Sequence, residues 1–158
     1  MAVNKGKAWE AKFAQDWEKS FPNTFIFRFK DQMTGYKDTS GNPCDFLCFV
    51  SGKLFLVECK EHKGASIPVS AIPQYERLLK YKDIPDVYPG VMLWLSEKNV
   101  VLWISIKEME KMVNADKKSI GLKMLTDDTY KIVQIPSEKK RVFLDSDYSV
   151  LLSLQEGD

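Results

Sequence analysis

The stretch "CDFLCFVSGKLFLVECKEHKG", residues 44–64, is an apolar hairpin with charges where a hairpin should have none. Two apolar runs flank Ser51-Gly52, the pattern of two antiparallel strands joined by a tight turn. Asp45 nevertheless stands in the first run, and the second ends on Glu58-Cys59-Lys60. A charge in an apolar sheet costs on the order of several kcal/mol unless something pairs with it. Strand alternation puts Asp45, Leu47 and Phe49 on one face and Cys44, Phe46 and Cys48 on the other. On the second strand Glu58 and Lys60 share a face, with Cys59 opposite. At the open end of the hairpin, two adjacent strands aim Asp45 and Glu58 at one point. Close carboxylates repel, and a divalent cation resolves the conflict. Oxygen ligands with no His or thiolate beside them suit Mg²⁺ or Mn²⁺, with the Cys59 backbone carbonyl as a further candidate ligand. Lys60 is placed to orient or deprotonate an attacking water, or to offset charge developing on a phosphate. A solvent-facing Glu-x-Lys at a strand end has the same spelling; Asp45, thirteen residues before Glu58, favours the site.

The flanking sequence supplies a scaffold. "KAWEAKFAQDWEKSF" (7–21) repeats Trp9, Phe13 and Trp17 at helical spacing, so it is an amphipathic helix closed by Pro22-Asn23. Glu10 lies on the border of that stripe, on the track Glu10, Ala14, Trp17, Phe21, and can point toward the hairpin's open end. An acid in a helix's first turns also has a purely local use. "TFIFRFKD" (24–31) alternates as a strand, and "QMTGYKDTSGNP" (32–43) is a loop. "IPVSAIPQYERLLKYKDI" (67–84) gives a second helix with Ile72, Tyr75, Leu78 and Leu79 as its apolar face. Gln74 falls in its first turn, where its amide can bridge Lys60, a water or a phosphate, or simply face solvent. "GVMLWLS" (90–96) and "VVLWISI" (100–106) are strands buried on both faces, with Trp94 and Trp103 in the core. A third helix near 106–116 precedes strand-like pieces at 130–136 and 141–147, and "YSVLLSL" (148–154) stays open between helix and strand. The order αβββαββα with a small β-rich C-terminal addition fits one α/β domain over 1–158.

The 158 residues, 44% hydrophobic and 28% charged, are those of a globular chain. No run is long enough to span a bilayer, and the start has no signal-like apolar segment. Three cysteines without such a segment argue against a disulfide framework, and a cytoplasmic location is expected. A net charge of +1 means that any phosphate-binding surface is local. Candidates are Arg28, Lys30 and Lys37; Lys117, Lys118 and Lys123; and Lys139, Lys140 and Arg141. Each group reads equally as solvated lysines. His62, on the nominal face of Lys60, is a phosphate contact or a bystander. A zinc site from Cys44, Cys48, Cys59 and His62 is disfavoured, because alternation sets the thiols away from His62 and no C-x-x-C is present.

"PCDF" followed by "VECK" resembles the bipartite motif of PD-(D/E)XK nucleases, with Pro43 and Asp45 in one half and Glu58 and Lys60 in the other. More closely, the chain resembles the RecU type of Holliday junction resolvase. The similar features are "NKG" with an acid six residues after its Asn (Asn4, Glu10), "DF" (45–46), "ECKEHKG" and "SIP" (66–68). Gln74 and "KKSIGL" after the third helix also fit, so the resemblance covers roughly residues 4–123. It implies a restriction-endonuclease-like mixed sheet flanked by helices, and Mg²⁺-dependent hydrolysis with no other cofactor. Branched double-stranded DNA as the substrate and a symmetric homodimer also follow. It implies that Glu10, Asp45, Glu58, Lys60 and Gln74 form the catalytic set, with Glu10 joining Asp45, Glu58 and the Cys59 carbonyl at the metal, either as a ligand or as a support behind them. Lys30, Tyr36, Lys37, His62, Lys63, Ser66, Lys117 and Lys118 are then the candidate DNA contacts. The family's projecting stalk falls in the short segment 30–42, and the tail after Leu125 has no counterpart in it. A prokaryotic or phage source is expected. A restriction- or repair-type endonuclease of the same fold, and a noncatalytic branched-DNA-binding protein, are the alternatives; the intact Asp45/Glu58/Lys60 set speaks against the second.

Overall fold

The first helix, α1 (Lys5–Ser20), forms where the Trp9/Phe13/Trp17 stripe places it, and all three rings are buried. This computed structural model describes residues 5–30 and 41–154. Strand β1 (Phe25–Arg28) follows, then the hairpin of β2 (Phe46–Val50) and β3 (Lys53–His62). The turn residues Ser51 and Gly52 both take positive φ, as a two-residue hairpin turn requires.

The segment 67–84 does not form the single helix expected. It begins with strand β4 (Ser66–Pro68) and a 3₁₀ turn, Val69–Ala71, and only Tyr75–Leu79 is α-helical (α2). Pro68 and Pro73 bias the residues before them toward extended backbone. The Val69 N–H goes instead to the carbonyl of Lys118, 2.9 Å away, which ties this segment to a later strand.

Strands β5 (Val87–Leu95) and β6 (Val100–Ser105) are the buried centre of the sheet, as expected, with Trp94 and Trp103 only 3% and 1% exposed. Helix α3 (Ile106–Asn114) is capped by Ser105, whose hydroxyl accepts from the Glu108 N–H. The remainder comprises β7 (Ser119–Gly121), β8 (Val133–Ile135), β9 (Ser137–Lys139) and β10 (Leu144–Ser146). A 3₁₀ helix, Tyr148–Ser153, completes it and settles the ambiguous tail as helical.

One mixed sheet runs in the order β1-β2-β3-β5-β6-β8, with β3 and β5 parallel and the other neighbours antiparallel. Ribbons β4–β7 and β9–β10 stand outside it. On one face α1 and the C-terminal addition pack against Phe46, Phe55, Val57, Met92 and Trp103. The Phe13 ring meets Phe46 and Tyr148 at centroid distances of 5.2 and 5.1 Å. On the other face α2 and α3 cover Leu56, Val91, Leu93, Leu102 and Ile104. The sheet is thus a rigid middle layer, and the β2–β3 ends that carry the acids are held from both sides. Among the described residues no helix is long and apolar enough to cross a membrane.

Candidate active site

The hairpin ladder opens with Phe46 opposite Val57, so Asp45 and Glu58 each lie one residue outside its first pair. Asp45 is hooked from both sides: its N–H donates to the Val57 carbonyl at 3.1 Å, and its carbonyl accepts from the Phe29 N–H at 2.9 Å. Its side chain is fixed as well, since Oδ2 accepts from the Cys59 N–H at 2.9 Å. Glu58 is buried, with 3% exposure. Lys60 Nζ lies 3.5 Å from Glu58 Oε1, on the face strand alternation assigns it.

The acids perturb each other. Burial, reinforced by the charge of Asp45, pushes the Glu58 carboxyl up to about 8, and the Lys60 ammonium offsets this only in part. Burial also raises Asp45, against the pull of the Cys59 N–H, and Glu10 adds to the rise. Two adjacent acids, one buried and one half-buried, both held at an elevated pKa, are stabilised as two anions only by added positive charge.

Asp45 and Glu58 line a cleft of about 220 Å³ with Phe29, Asn42, Cys44, Gln74 and Arg77. Gln74 immediately precedes α2, and its Oε1 is buried without a hydrogen-bond partner. A buried, unpartnered amide oxygen beside two carboxylates is a donor set that a hard divalent cation takes. The residues present fit Mg²⁺ or Mn²⁺ on that ground. Among the described residues no three His, Cys, Asp or Glu side chains converge on one point. A cation here would rest on two carboxylates and neutral oxygens.

Glu10 does not join the pair. Its Oε2 takes the Arg28 guanidinium, with Nη2 at 2.6 Å and Nε at 3.1 Å. Arg28, at the end of β1, reaches α1 across that face of the sheet and leaves Glu10 acting on Asp45 through charge alone.

The place of Cys44 corrects the alternation argument. It lies not with Phe46 and Cys48 but in the α2-side core, lining the cleft beside the acids. The strand begins only at Phe46, so period-two alternation does not extend back to it; Cys44 Sγ instead donates to the Phe46 carbonyl at 3.2 Å. Burial and the two acids push the thiol up to about 12, so it is a neutral wall of the cleft. Cys48 and Cys59 are in the α1-side core as expected.

The candidate DNA contacts divide into groups. Ser66, Lys117 and Lys118 meet around a hollow of about 290 Å³, together with Lys123, because β4 pairs with β7. His62 and Lys63 lead from the cleft strand toward that ribbon. Lys30 is exposed, and its carbonyl accepts from Asn42 Nδ2 at 2.7 Å. Tyr36 and Lys37 lie outside the described residues. Arg77 and Asn42, both lining the cleft, were not singled out from the sequence. The available signal was the spacing of Arg77, three residues after Gln74 and hence on the same helical face.

No family model matches this chain, and no curated protein does. Among solved structures it is similar to Hjc, a Holliday junction resolvase of the archaeal hyperthermophile Archaeoglobus fulgidus. The identity is 16%, the TM-score 0.55, and the match covers 75% of this chain and 89% of that one. The likeness is one of fold: a mixed central sheet flanked by helices, the restriction-endonuclease-like arrangement.

Proposed function

We propose that this chain is a Mg²⁺-dependent endodeoxyribonuclease of the RecU-like kind that resolves four-way DNA junctions by paired nicks. The observation that carries the reading is the convergence of Asp45 and Glu58 in one cleft, with Lys60 Nζ 3.5 Å from Glu58. Asp45 and Glu58 hold the cation by their carboxylates, with Gln74 Oε1 and the Cys59 carbonyl as neutral ligands. Bound there, Mg²⁺ or Mn²⁺ supplies Lewis-acid stabilisation of phosphoryl charge and makes water a competent nucleophile at neutral pH. Lys60 donates to the attacking water and keeps it in line with the scissile P–O bond, while its charge offsets that developing on the phosphate. Glu10, held by Arg28, tunes Asp45 from outside. The similar fold of an archaeal junction resolvase supports this assignment at the level of architecture.

Paired nicks need two active sites related as the two continuous strands of a junction are, and a two-fold homodimer supplies them. The exposed rings of Phe25, Phe27 and Phe49, on edge strand β1 and its neighbour β2, are the apolar surface on which that dimer is proposed to form. The experiment is cleavage of a four-way junction beside its matched linear duplex, in Mg²⁺, in Mn²⁺ and in EDTA. Symmetric nicks in the junction with either metal, none in EDTA and little cutting of the duplex are expected. Efficient cutting of the duplex reassigns the enzyme as a restriction- or repair-type nuclease, and metal-independent or absent cutting overturns the proposal.

A further inference from the structure

The cleft holds two acids and, among the residues that line it, a single cation, Arg77. Among the described residues no acid, Asp45 and Glu58 included, forms an ion pair with that guanidinium. Its hydrogen bond is from Nη1 to the backbone carbonyl of Asn42, at 3.0 Å and in solvent. A solvent-exposed bond of this kind adds little to stability, and it leaves Nε and Nη2 without a protein acceptor among the described residues. A glycine lies against the group. Gly41 takes φ +54°, and a Cβ there would run into the Arg77 guanidinium. The planar fork thus lies flat against a glycine at the rim, held by one edge and open along the other.

DNA approaching the half-buried Asp45 and the buried Glu58 meets the negative charge of the cleft, which cations beside it must offset. Lys60 does this on the β3 side. From these observations we infer that Arg77 grips a DNA phosphate on the α2 side of the cleft, next to the phosphate that is cut. The ligand is a backbone phosphate oxygen, so the contact positions DNA without reading its sequence. The inference rests on the nuclease reading and adds to it a second cationic wall.

The test is binding of a four-way junction and of linear duplex in EDTA over a salt series, for the wild type, Arg77→Gln and Arg77→Lys. Melting temperatures and single-turnover cleavage in Mg²⁺ are measured alongside. Arg77→Gln should weaken binding of both DNAs about tenfold, with an unchanged melting temperature, and should lower the slope of log K against log salt by about 1. Arg77→Lys should keep the wild-type slope and recover part of the affinity, because charge survives while the fork does not. An Arg77→Gln protein with wild-type affinity and slope overturns the inference while leaving the nuclease reading intact. Weakened binding with an unchanged slope also overturns it, since a merely structural role gives that result. A wild type that neither binds nor cuts DNA overturns both.

Discussion

Glu58 is the residue on which the chemistry and the stability of this protein pull in opposite directions. Its carboxyl is raised from an ordinary 4.5 to about 8, first by burial and then by Asp45. The unfolded chain ionises Glu58 more readily than the folded one, so the metal-free protein loses stability as pH rises from about 4.5 to 8. Glu58→Gln removes that loss. In EDTA at pH 9 its melting temperature should exceed the wild type's by about 3 °C or more, and the gap should vanish near pH 4. Saturating Mg²⁺ should reverse the order, because the proposed cation site needs the Glu58 carboxylate. Lys60→Ala should fold and bind metal normally but cut about 10²-fold more slowly in a single turnover. A rate near wild type would make Lys60 a bystander. The convergence of Asp45, Glu58 and Lys60 was legible in sequence because charge inside an apolar strand is costly and alternation is rigid. Cys44 was misplaced because alternation stops where the strand does. Glu10 was drawn off by Arg28, a partner distant in sequence that no local pattern reveals.

Among the elements, α1 was the most legible, since an aromatic at every fourth position allows one answer. Its use as an anchor for the C-terminal addition was not. Asp16, 2% exposed, accepts from Lys12 Nζ at 2.9 Å and from the Ser146 N–H at 3.0 Å, so the helix clasps β10 through one buried acid. Ser20 extends the clasp, its hydroxyl accepting from the Tyr148 N–H at 2.9 Å. Asp16→Ala leaves a buried amide and an ammonium short of partners. It should lower unfolding free energy by about 2–3 kcal/mol in a denaturant titration. Asp16 lies roughly 9 Å along the helix from Glu10, so cleavage by the folded variant should match the wild type. Segment 67–84 was the least legible, because prolines and a ribbon partner some fifty residues away override its helical periodicity.

For the whole molecule, the α/β class followed from two buried strands bracketed by amphipathic helices. Strand order did not, because nothing local says that β3 pairs in parallel with β5. The exposed Phe25, Phe27 and Phe49 sit at one end of that order, 56%, 48% and 46% accessible. Three such rings on adjoining strands form a patch that a second copy would cover. Sedimentation at micromolar concentration should show twice the 18.2 kDa mass of the chain, and Phe27→Glu should return it to the monomer and abolish paired nicking. A wild-type monomer with full junction resolution would refute the dimer. The nuclease assignment itself turns on Asp45. Single-turnover cleavage of a four-way junction in Mg²⁺ by Asp45→Asn, with DNA binding followed in parallel, should show binding retained and cutting lost. Mg²⁺-dependent cutting at the wild-type rate by that variant would contradict it.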